Sequence, residues 1–116
     1  MQRENTVKYK SLVFAKRIIR LYKYLCDEKK EFVMSKQLLR SGTSIGANVH
    51  EAVYGQSKSD FIAKMSIALK EASETEYWLE LLNRTGYLTG ERYECVRRDC
   101  GVVARLLTTI LRSAKN

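Results

Sequence analysis

Between residues 59 and 85, Phe61, Met65, Ala68, Ala72, Thr75, Leu79 and Leu82 follow one another at alternating steps of four and three. That rhythm returns to one side of a helix at every turn. Sustained as a heptad, it favours the shallow crossing of bundles and coiled coils over steep globin-like packing. Residues 90–114 repeat it with Tyr93, Val96, Cys100, Val103, Leu107, Ile110 and Ala114. Over 7–27 two seams run side by side, Leu12, Ala15, Ile19, Tyr22 and Cys26 next to Phe14, Ile18, Leu21 and Leu25. So wide an apolar face suits a helix with two neighbours. Another helix is predicted over 35–54, with Ser35 as its N-cap and Leu38, Gly42, Ile45, Val49 and Ala52 as its inward seam.

The segments between these helices read as turns. Residues 27–31 are a charged break, Ser57 or Ser59 caps the third helix, Gly86 follows its last residue, and Thr89 caps the fourth. Links this short join antiparallel neighbours. The chain contains no proline to interrupt a helix, and its 116 residues suffice for one core. The expected fold is all-α: one domain over 1–116, an antiparallel up-down-up-down four-helix bundle.

The second helix is rich in small residues. Each glycine inside a helix costs about 1 kcal/mol relative to alanine, so Gly42 and Gly46 point to a close approach of two backbones. Ser41, Ser44, Asn48 and Glu51 form a polar stripe at steps of three, four and three. On a buried helix such groups need partners within the chain or across a subunit contact, because an unpaired one costs about 1–3 kcal/mol.

Charge adds a direction to this picture. There are 21 Lys and Arg against 13 Asp and Glu, a net charge of +8. The excess lies in the terminal helices, whereas the third helix is acidic. Lys16, Arg20 and Lys23 share the outer face of the first helix, and Arg98, Arg105 and Arg112 recur every seven residues on the fourth. Solvated faces are the common role of such rows; the sharper reading is contact with the phosphates of RNA or DNA. Basic and acidic helices in one chain also suit a head-to-tail subunit contact. Tyr54, Tyr77 and Trp78 can stack on bases, though their helical spacing fits core or interface positions as well.

Several chemistries are excluded by what the helices carry. His50 is the single histidine and Ala47 stands three residues before it, so the Glu-x-x-His pairs of di-iron bundles are missing. No metal site and no cofactor are expected. One histidine assembles no hydrolytic triad, and Gly42-x-x-x-Gly46 sits within a helix without the lysine of a phosphate loop. The chain is not expected to be an enzyme. Cys26, Cys95 and Cys100 lack C-x-x-C spacing and read as reduced packing residues. With no apolar run of about 18 residues and no apolar leader, the expected location is the cytoplasm, away from the membrane.

The run Ser44-Ile45-Gly46-Ala47-Asn48-Val49-His50-Glu51-Ala52, with Ser59-Asp60-Phe61-Ile62 and Leu81-Leu-Asn-Arg-Thr-Gly86-Tyr87-Leu88, closely resembles the bacterial four helix bundle protein family. Members of that family were first noticed as proteins encoded by intervening sequences in 23S ribosomal RNA genes. Ala52 stands where the family pattern has glycine. The resemblance implies a ring-shaped homopentamer. Through a more distant branch, the accessory proteins of diversity-generating retroelements, it also implies binding to nucleic acid and to a reverse transcriptase. Together with the charge, it leads to the expectation of a non-enzymatic oligomeric accessory protein that binds RNA or DNA through basic helical faces. The alternative is an oligomeric protein-interaction scaffold without nucleic-acid contact.

Overall fold

The computed structural model describes residues 2–116. They form α1 (Gln2–Asp27), α2 (Met34–Val53), α3 (Lys58–Arg84) and α4 (Gly90–Lys115), with no strand among the described residues. Each helix packs on the next and α4 closes back on α1. Joined by short links, the helices make an antiparallel up-down-up-down square measuring 43 × 20 × 19 Å.

The core is built from the expected seams of α2, α3 and α4, with Val7, Phe14, Ile18, Leu21 and Leu25 of α1. Of the two seams on α1, only the one through Phe14 and Ile18 is buried. Leu12 remains 60% exposed and Ile19 40%; beside Leu12, α2 presents the short Thr43, Gly46 and Ala47 together with His50. Helix α1 also begins earlier than the expected residue 7. Glu4 in its first turn favours the positive end of the helix dipole, and Arg3 donates to the Ser113 hydroxyl of α4 at 2.9 Å.

The N-terminus of α2 departs from expectation. Ser35 is a buried residue inside the first turn and is not the cap. The Glu31 carboxylate, four residues earlier, accepts from the backbone N–H groups of Val33, Met34 and Ser35 at 3.1, 3.0 and 2.7 Å. The Ser35 hydroxyl donates to the Glu31 carbonyl at 2.7 Å. One carboxylate thus satisfies three of the donors that a helix start leaves open. At α3 the Ser57 hydroxyl accepts from the Asp60 N–H at 3.0 Å. Its C-terminus closes through Gly86 at φ 85°, with the Tyr87 N–H donating to the Leu82 carbonyl at 3.0 Å.

Gly42 and Gly46 lie where α2 meets α1. A Cβ at Gly42 would come within 2.8 and 2.9 Å of the Ile18 side chain, which is fully buried and has nowhere to turn. A Cβ at Gly46 would sit 3.3 Å from the backbone carbonyl oxygen of Ser11. On the other side of α2, Arg40 ties it to Glu71 and Glu74 of α3, and the Trp78 indole donates to Glu74 at 3.0 Å. The Trp78 N–H and then the Arg40 guanidinium hold the Glu74 carboxyl below its usual range.

These contacts give two expectations for unfolding experiments. Gly42→Ala lowers stability by about 1–3 kcal/mol, and Gly46→Leu by more than about 1 kcal/mol. Gly101→Ala, whose Cβ meets only the tip of Arg105, instead raises stability by up to about 1 kcal/mol. Equal gains at Gly42 and Gly101 would show that the two helices are not held at their limit. Because the folded-state pKa of Glu74 is depressed, the stability it contributes is present above the unfolded carboxylate pKa. It is lost as pH falls through the folded value. Melting temperatures recorded down to about pH 3 should fall less steeply in Arg40→Met than in the parent chain; parallel curves would refute the coupling.

Candidate nucleic-acid interface

The α1–α4 seam is the most loosely packed side of the square. Helix α1 turns Arg17, Arg20 and Tyr24 toward it, and α4 turns Arg92 and Asp99. Long polar side chains cannot interdigitate as the heptad seams do, and a groove of about 580 Å³ remains. Leu21 and Val96, both buried, belong to its lining. Arg17 bridges to Asp99 at 2.6 Å, and the guanidinium of Arg92 lies 3.8 Å above the centre of the Tyr24 ring. Four cations, Lys16, Arg17, Arg20 and Arg92, stand around one carboxylate, which leaves the groove strongly positive.

Lys16 and Arg20, expected on the outer face of α1, form part of this groove, while Lys23 is exposed on the same face beyond it. Arg98, Arg105 and Arg112 are exposed along α4 but do not reach the groove. Two residues of helix turn a side chain by about 200°, so Arg98 points away from the buried Val96. The six expected cations therefore divide between a groove and a ridge. None of the six joins an ion pair among the described residues, whereas Arg17, Arg40, Lys64, Arg84 and Arg97 all do.

Sequence reasoning missed Arg17, Tyr24 and Arg92. Arg20 and Tyr24 are one turn apart, which hints at a shared face, but nothing in the sequence links them to Arg92 on the last helix. The aromatic residues singled out from the sequence lie elsewhere. Tyr77 is exposed on acidic α3, half-buried Trp78 serves Glu74, and Tyr54 accepts from Lys8 Nζ at 2.6 Å.

The polar stripe of α2 is not uniformly buried. Ser41 is, and its hydroxyl accepts from Thr75 Oγ1 of α3 at 2.9 Å. Half-buried Ser44 donates to the Arg40 carbonyl at 2.7 Å and Asn48 to the Ser44 carbonyl at 2.9 Å, so both bond their own helix. Glu51 is exposed and pairs with Lys64 of α3 at 2.8 Å, which holds its carboxyl below the usual range. The stripe widens because a step of three or four does not close a turn, and its lower end rotates from the buried seam to the exposed edge of the α2–α3 contact. His50 is exposed and packs on Tyr54, with ring centres 4.9 Å apart. Burial pushes the Cys100 thiol up to about 12. Among the described residues no three His, Cys, Asp or Glu side chains converge as metal ligands, and no helix is long and apolar enough to cross a membrane.

Fold and connectivity place the chain among small antiparallel four-helix bundles. It belongs to the 23S rRNA-intervening sequence protein family, whose model matches residues 3–109. It is similar to a protein of unknown function from the S23 ribosomal protein family of Bacteroides thetaiotaomicron VPI-5482, known from a crystal structure. The two are 61% identical and superimpose with a TM-score of 0.93 over 95% of this chain and 98% of that one. No curated protein matches the chain.

Proposed function

We propose that this protein is a non-enzymatic cytoplasmic accessory protein that binds the backbone of RNA or DNA through the α1 and α4 faces and works as a homo-oligomer. The observation that carries the proposal is the division of its charges. Acidic groups on α3 are engaged by Arg40 and Arg84, and Glu51 of α2 by Lys64, while Lys16, Arg20, Lys23, Arg98, Arg105 and Arg112 have no ion-pair partner among the described residues. Unpaired cations in rows attract a polyanion and release its counterions, giving weak sequence preference and strong salt dependence. Self-association is supported by the seam through Leu12 and Ile19, which the chain's own fold leaves uncovered. A pentamer is the assembly that the family resemblance implies. That same seam favours the second reading, a scaffold for a protein such as a reverse transcriptase.

Binding to labelled structured RNA and duplex DNA at two salt concentrations separates the two readings. The nucleic-acid reading expects micromolar or tighter binding at low salt. The triple reversal of Lys16, Arg20 and Lys23 to Glu should weaken it at least about ten-fold and flatten the salt dependence, with molar mass unchanged. No binding at low salt refutes that reading. A triple variant that loses its assembly but not its affinity shows that the cations join subunits.

A further inference from the structure

We infer that the groove between α1 and α4 receives an unpaired nucleotide, so that the nucleic acid this protein prefers is single-stranded. The inference rests on the nucleic-acid reading above and adds to it which form is bound and where. The walls of the groove differ in kind. Lys16 and Arg20 stand at its rim one helical turn apart, about 6 Å along the axis, and suit neighbouring phosphates. Leu21 and Val96 supply buried apolar surface, which no phosphate seeks. In the same groove the Arg92 guanidinium lies over the Tyr24 ring, its carbon 3.8 Å from the ring centre, and Arg92 is itself exposed, so a planar group is open to a stacking base.

A duplex keeps its bases stacked inside and offers the protein mainly phosphate and sugar. Its backbone can touch Lys16 and Arg20 but brings nothing flat or apolar to Arg92 and the floor. An unpaired base does, stacking on the guanidinium plane as bases stack on arginine and aromatic groups elsewhere. Asp99, whose side chain is 46% exposed, stands in the same groove as an acceptor for the amino group of a base. Neither Tyr77 nor Tyr54, two exposed aromatic residues outside the groove, matches this combination. Tyr77 sits on the acidic helix, and the Tyr54 hydroxyl is taken by Lys8.

The test is fluorescence anisotropy with an RNA of about 12 nucleotides, single-stranded and annealed to its complement, against the full chain and Arg92→Lys. The substitution keeps the charge, removes the plane, and alters an exposed position, so the bundle stays folded. The parent chain is expected to bind the single strand at least about ten-fold more tightly than the duplex. Arg92→Lys is expected to weaken single-strand binding by about five-fold or more without changing the salt slope, because no phosphate contact is lost. The inference is overturned if the duplex binds as tightly as the single strand, or if Arg92→Lys leaves the single-strand affinity unchanged. In either case backbone binding itself survives. Absence of binding to both forms overturns the underlying reading as well.

Discussion

The distance between α1 and α2 is the constraint on which the rest of the molecule depends. Gly42 lets the buried Ile18 lie against α2, and Gly46 brings the α2 axis up to the Ser11 backbone. Two helix-weakening residues, each costing about 1 kcal/mol in propensity, are offset by the packing that this approach permits. The consequences reach both flanks of α1. On the α2 side the small residues leave Leu12 at the surface. On the far side α1 packs most loosely, against α4, and the cationic groove opens there.

Electrostatics follow the same division. Acidic α3 is stitched to α2 by Arg40, which engages Glu71 and Glu74, and by the Lys64–Glu51 pair. Exposed pairs of this kind add little stability, but they neutralise that side of the molecule. Among the described residues of α1 and α4 only Arg17 and Arg97 are neutralised in this way, and Lys16, Arg20, Lys23, Arg98, Arg105 and Arg112 are not. A net charge of +8 thereby becomes a field with a direction, which is a property of association rather than of folding.

Much of this architecture is legible in the sequence, for definite reasons. The seams of α3 and α4 read correctly because their heptads admit one inward face, and Gly86 because few other residues adopt its backbone angles. Helix α1 offers two apolar seams of similar quality, and the choice between them depends on the small residues of a different helix. The cap of α2 was misplaced for a local reason. Ser35 has the residue type that usually caps, but Glu31 reaches over an intervening turn to do so. The groove escapes sequence reading almost entirely. Tyr24 and Arg92 stand near opposite ends of the chain, and only the closure of α4 on α1 brings them into contact.

The central claim is spatial: nucleic acid lies on the α1/α4 side and not on the acidic side. Photo-crosslinking of a bound thiouridine-containing RNA, followed by mass spectrometry of the linked peptides, reads that position directly. The account predicts adducts within residues 13–24 and 92–99. Adducts concentrated on α3 or on the α2–α3 seam would contradict it.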